Sequence, residues 1–165
     1  MFAKKLTNIA EQVVSEALAK DIKLATIESC TGGMISALIT DISGASKVYE
    51  GGLSTYSNQA KEELAHVPKK LLMQHGAVSH ETAKAMASGA LVSIKTADIS
   101  IATTGIAGPT GATKNKPVGL VYFGLSHRKG EVKSYRKIFP GNRQQVREAA
   151  AFYALTLLHE HILNL

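Results

Sequence analysis

The chain has 165 residues, of which 45% are hydrophobic and 19% charged, and its formal net charge is +6. That balance excludes a disordered chain and supplies apolar material for one core, and no apolar run is long enough to span a bilayer. The single cysteine excludes an internal disulfide and points to a reducing, cytoplasmic setting.

The start, "MFAKKLTNIAEQVV", has no continuous apolar segment behind its lysines, so no secretory signal is expected. Leu6 to Lys20 sets Ile9, Val13, Val14, Ala17 and Leu18 at helical spacing. "KLATIES" predicts a buried strand, and "GMISALIT" a short helix ending near "DISGAS". "GGLSTYS" alternates and predicts a strand; "NQAKEELAHV" predicts a helix that stops at Pro68, with a short turn "KKLLMQHG" behind it. "SHETAKAMASGALVSIK" opens like a capped helix, Ser79 being the N-cap with Thr82 three residues on. "ADISIATTG" is a strand and "IAGPTGATKNKP" a loop. "VGLVYFGLSH" and "VKSYRKIF" form a hairpin about "RKG", and a last helix starts at "GNRQQVREAA". No repeat or linker divides the chain, so residues 1–165 are expected to form one domain. Helices before, among and after strands predict a layered α/β domain, and the adjacent hairpin strands require a mixed sheet.

Several motifs fail on inspection. "GIAGPTG" lacks the Lys-Ser/Thr of a phosphate loop, and a strand follows it rather than a helix, which also removes the dinucleotide fingerprint. The six histidines show no metal-ligand spacing; His159 and His161 are two apart on a helix and point to different sides. Ser134 and Lys137 match Ser-x-x-Lys, but residues three apart on a strand face opposite ways. Net charge favours phosphate-bearing partners. Yet aromatics are only 5% and the cations are scattered outside His127 to Lys137, which argues against a nucleic-acid binder.

The informative features sit at three helix starts, where backbone N–H groups are free and the dipole is positive. In "SCTGG", Ser29 would lie at a strand's end, with Cys30, Thr31, Gly32 and Gly33 offering amides to an oxyanion. The plain alternative is a strand-turn-helix joint with Thr31 as N-cap. In "TYSNQAKEEL", an N-cap at Asn58 puts Lys61 at the third helical position, where the dipole opposes its ammonium form. That suits a neutral base, with Tyr56 beside it; the alternative is a solvated lysine paired with Glu62 or Glu63. In "FPGNRQQVREAA", Asn142 is the N-cap with Gln145 as its partner, and Arg143 and Arg147 share a face that suits a phosphate. Thr103 and Thr104 add hydroxyls at another strand end, able to bond a substrate or cap the loop.

"ESCTGG", "GGLSTYSNQAKEEL", "GAVS", "TTGIAGPTGATKNKPVGLV" and "FPGNRQQVREAA" together resemble the CinA C-terminal domain family, from about Lys23 to the C-terminus. The family includes nicotinamide-nucleotide amidases, which release ammonia from nicotinamide mononucleotide in pyridine-nucleotide salvage. The resemblance implies a three-layer α/β/α sandwich with a mixed sheet. It also implies a stand-alone serine amidohydrolase of the Ser/Lys type that needs no metal or cofactor, and a homodimer. Ser29 would be the nucleophile and Lys61 the base, with Tyr56 close by; Arg143, aided by Arg147, would hold the 5′-phosphate of the nucleotide. Thr103, Thr104 and the Gly105 to Gly108 backbone would contact ribose or carboxamide, and the start of the helix after Cys30 would hold the oxyanion. Thr110 and Ala112 depart from a loop that is richer in glycine elsewhere in the family. A rival class, a competence-associated nucleic-acid or protein binding module without amidase activity, would instead show salt-sensitive DNA binding and no deamidation.

Overall fold

A short unbroken apolar run suits a strand buried on both faces, and Leu24–Glu28 (β1) is buried at every residue. Its neighbours, Tyr49–Ser54 (β2) and Ile99–Gly105 (β3), run parallel to it. Leu120–His127 (β4) and Val132–Ile138 (β5) add on antiparallel beyond β3, so the sheet is mixed, in the order β2-β1-β3-β4-β5. These features come from a computed structural model that describes residues 2–165.

Helices cover both faces. Lys4–Lys20 (α1), Met34–Thr40 (α2) and Arg143–Leu163 (α6) pack on one another and on one side of the sheet. His80–Ser93 (α5) packs on the other side, with Asn58–Ala65 (α3) and Lys69–His75 (α4) docked against it. The expected three-layer sandwich is present. The strand alternation of side chains divides the central strands cleanly between the layers. Leu24, Ile99 and Ile101 join the core under α1 and α6, whereas Ile27 and Ala102 join the core under α5.

Local signals account for the element ends. Ser79 caps α5 by accepting from the Thr82 N–H, and Asn142 and Gln145 form a reciprocal capping box at α6. The segment expected as a turn after Pro68 is the helix α4; Pro68 supplies its extended N-cap and Leu72 is buried. Sequence reading missed it because it has only one buried residue, too few to show a period. Ser134 and Lys137 do point apart: Ser134 Oγ meets His80 Nδ1 of α5 at 2.8 Å, while Lys137 lies over the Tyr153 ring of α6. His161 stacks edge-on against His127, and His159 lies in a groove between α1 and α6. No helix among the described residues is long and apolar enough to cross a membrane.

Close backbone approach fixes α3 on α5. A β-carbon at Gly89 would run into the Ala65 carbonyl at the end of α3. On helix propensity alone, Gly89→Ala should stabilise by about 1 kcal/mol. The clash is with backbone, which cannot rotate away, so packing should win. Gly89→Ala is expected to cost a net 1–3 kcal/mol or so, read as a fall of several degrees in the thermal midpoint. An unchanged or raised midpoint would show that α3 slides freely on α5.

Candidate active site

The alternation that sorts the core also sorts the chemistry. β1 sends Thr26 and Glu28 toward α2 and Ile27 toward α5. Ser29, next after the strand, follows Ile27 and meets α3: its Oγ lies 2.9 Å from Lys61 Nζ. The same Nζ donates to the Thr55 carbonyl at 2.8 Å. That carbonyl is held in place because the Thr55 N–H donates to the Glu28 carbonyl, which extends the β1–β2 ladder by one rung.

Lys61 is buried, with 1% of its surface exposed, and pairs with neither Glu62 nor Glu63. The N-cap of α3 is Ser57, whose Oγ accepts from Ala60, so Lys61 stands at the fourth helical position rather than the third. Burial, rather than the helix dipole, is what disfavours its ammonium form, lowering its pKa to about 8. Cys30 is buried beside Ser29, and burial pushes its thiol up to about 12. It stays protonated at neutral pH and is a poor nucleophile.

The corner after Ser29 differs in detail from a capped joint. α2 begins at Met34, and Thr31 does not cap it; the Thr31 hydroxyl bonds the Thr103 hydroxyl at 2.7 Å. The cap is Glu28. Its buried carboxylate accepts from the Gly33, Ile35 and Ser36 N–H groups and from the Ser36 hydroxyl, at 2.9 to 3.1 Å. Four donors and a helix start hold the charge where no cation does. Gly32 and Gly33 have φ of +59° and +91°, a left-handed pair that turns the chain into α2. The Gly32 N–H turns back to the Ser29 carbonyl and the Gly33 N–H goes to Glu28, so neither is free for a ligand. The Cys30 and Thr31 N–H groups donate to no backbone carbonyl among the described residues.

A cavity of about 280 Å³ opens over Ser29 and Lys61. Tyr56, Asn58, Thr104, Gly105 and Arg143 also line it, with Ala77 and Val78 as apolar walls and the loop from Ile106 to Gly111 across the top. Arg143 stands at its mouth, donating to the Gly108 carbonyl and the Tyr56 hydroxyl, each at 2.9 Å. Thr104 gives its hydroxyl proton to the Ala77 carbonyl. Thr31, Gly32, Gly33, Thr103 and Arg147 are not part of the lining; Arg147 lies behind the corner and donates to the Cys30 and Thr31 carbonyls. Glu28 and Thr55 were not singled out from sequence, and Asn58 was read only as the N-cap of the helix that carries Lys61. Glu28 left a trace there, as an acid at the end of a strand just ahead of a helix start. No cluster of metal-ligating side chains occurs among the described residues.

The CinA C-terminal domain model matches residues 6–162. The chain is 42% identical to the nicotinamide-nucleotide amidohydrolase PncC of Escherichia coli K12, over 99% of both chains. It is 49% identical to a protein of Caldicellulosiruptor saccharolyticus named for competence-damage induction, covering 94% of this chain and 38% of that one. The chain thus spans under two-fifths of the length of several curated relatives it matches. Among solved structures, the competence/damage inducible protein CihA of Agrobacterium tumefaciens superposes with a TM-score of 0.93 at 36% identity, over 96% of each chain.

The Glu28 cap has a consequence for stability. Glu28→Gln keeps the shape but turns an NH₂ toward N–H and O–H donors. The substitution is expected to cost about 2–4 kcal/mol, the loss of charge-assisted bonds plus unpaired buried donors. Denaturant unfolding checks it; a loss under 0.5 kcal/mol or so would mean the cap contributes only as a neutral acceptor.

Proposed function

We propose that this chain, which belongs to the CinA C-terminal domain family, is a nicotinamide-nucleotide amidohydrolase. In this reading it converts nicotinamide mononucleotide to nicotinate mononucleotide and ammonia through a serine acyl-enzyme. The observation that carries the reading is a buried lysine with no carboxylate partner, 2.9 Å from a serine hydroxyl in a cavity. A lysine so placed is held toward its neutral form, the form that can accept a proton. The activity of the full-length PncC relative gives the substrate class.

The proposed chemistry needs only groups of this chain. Ser29 Oγ attacks the carboxamide carbon while its proton passes to Lys61 Nζ. The carbonyl oxygen becomes an oxyanion, held by the Cys30 amide at the cavity wall beside Ser29. Collapse breaks the C–N bond, and Lys61 returns the proton to the leaving ammonia. Water, deprotonated by the again neutral Lys61, cleaves the nicotinoyl ester and restores Ser29. The Thr55 carbonyl keeps Nζ aimed at Ser29 throughout. Arg143 takes the 5′-phosphate at the cavity mouth, and Tyr56 holds its guanidinium there. Ala77 and Val78 offer an apolar wall to the pyridine ring. Thr104 and Gly105 border the ribose.

The direct test is ammonia release from nicotinamide mononucleotide. Ser29→Ala is expected to lower turnover at least a thousandfold while the nucleotide still binds; near wild-type turnover would remove Ser29 as nucleophile. The base assignment has its own signature. Lys61 must be neutral, and its pKa is lowered to about 8, so kcat/KM should rise with pH and level off above about 8. Lys61→Met should abolish the rising limb with the activity. A profile that falls through that range would contradict a lysine base.

A further inference from the structure

We infer that Arg147 is a positioning residue for the oxyanion site rather than a second phosphate ligand. The inference rests on the serine acyl-enzyme reading above. Arg147 shares a helix with Arg143, four residues on, and by spacing alone the two belong in one anion clamp. Their contacts separate them. Arg143 reaches the cavity mouth, whereas Arg147 turns to the corner after Ser29, donating Nε to the Cys30 carbonyl at 3.2 Å and Nη2 to the Thr31 carbonyl at 2.8 Å.

Those two bonds orient more than carbonyls. A peptide unit is planar and trans, so its N–H points opposite to its C=O. With the Cys30 carbonyl drawn to α6, the Thr31 N–H in the same plane must point away from α6. That N–H is fully buried and Thr31 does not line the cavity, so the grip reaches the nucleophile through the next peptide. Its Thr31 carbonyl faces Arg147, and its Gly32 N–H turns back to the Ser29 carbonyl at 3.1 Å, which fixes the peptide that carries the Cys30 N–H.

The other side of the corner is fixed independently. Glu28 consumes the amides of Gly33, Ile35 and Ser36. The corner is therefore gripped by a cation on its carbonyls and an anion on its later amides, leaving the Cys30 N–H without a backbone acceptor beside the nucleophile. A guanidinium on the Thr31 carbonyl also polarises that peptide and strengthens the Gly32 N–H as donor to the Ser29 carbonyl, and through that bond the Cys30 N–H. Two adjacent carbonyls suit the rigid fork of arginine; a lysine presents a single point charge. No carboxylate lies within ion-pair distance of Arg147 among the described residues, so its role is not that of a surface ion pair.

The test separates positioning from anion binding by steady-state kinetics on nicotinamide mononucleotide. Arg147→Ala and Arg147→Lys are each expected to lower kcat about a hundredfold, as for loss of an oxyanion donor, with KM within about twofold. Free guanidinium chloride, well below denaturing concentrations, should restore part of the Arg147→Ala rate by refilling the slot. Arg143→Ala is the contrast and should raise KM more than it lowers kcat. Should Arg147→Ala fail to fold, Arg147→Lys, which keeps the stem and charge, carries the measurement. A raised KM with kcat retained, or kcat within about twofold of wild type in the folded variants, overturns the inference. If instead Ser29→Ala keeps its turnover, the acyl-enzyme reading fails first, and the Arg147 result then bears on a different mechanism.

Discussion

The site is organised around one amine that has been taken out of water and given no countercharge. Lys61 Nζ has a serine hydroxyl and a backbone carbonyl as its partners, and no carboxylate to hold it as an ammonium. Such a group is costly to bury. It persists because α3 is docked on α5: Gly89 lets α5 approach the Ala65 carbonyl closely and so seats the helix that carries Lys61. The sheet supplies the remaining constraint, since the rung between Thr55 N–H and Glu28 carbonyl sets the β2 end, and with it the acceptor for Nζ, at the height of Ser29. A local energetic cost at the lysine is thus maintained by cooperative packing elsewhere.

The corner after β1 solves a related problem with opposite means. A nucleophile at a strand end needs nearby amides that are not already spent. Helix starts offer them, but the start of α2 is capped by a buried carboxylate, and the familiar picture of the whole helix end as an anion site does not hold. What is left is narrower: the one amide of Cys30, between Ser29 and the left-handed glycines. Glu28 and Arg147 each take a different set of backbone groups around it.

Much of this was legible in the sequence, for identifiable reasons. The central strands are continuous apolar runs, and the hairpin and the caps at Ser79 and Asn142 are signalled by side chains acting within a few residues. Residues that meet in the cavity, Ser29, Lys61, Tyr56, Thr104 and Arg143 among them, were reachable because each sits where an element begins or ends. What could not be read was direction and burial. Helical spacing makes Arg143 and Arg147 neighbours, yet only the fold decides that one faces the cavity and the other the corner. The sequence pointed to the dipole as the reason for a lowered Lys61 pKa, but burial is responsible, and burial is a property of distant residues. Thr55 acts through its backbone, which leaves no mark in residue type.

The parity of β1 carries a last implication. Glu28 and Ser29 are adjacent in the chain, but the pleat sends them to opposite sides of the sheet, and the carboxylate nearest in sequence never faces the amine. A slip of one residue in that strand would exchange them. The acid would then meet Lys61 as a buried ion pair, electrostatically comfortable and permanently protonated at nitrogen, while the hydroxyl faced the core beneath α2. The sheet therefore works as an insulator as well as a scaffold: its thickness keeps a fixed negative charge and a titrating base on separate circuits.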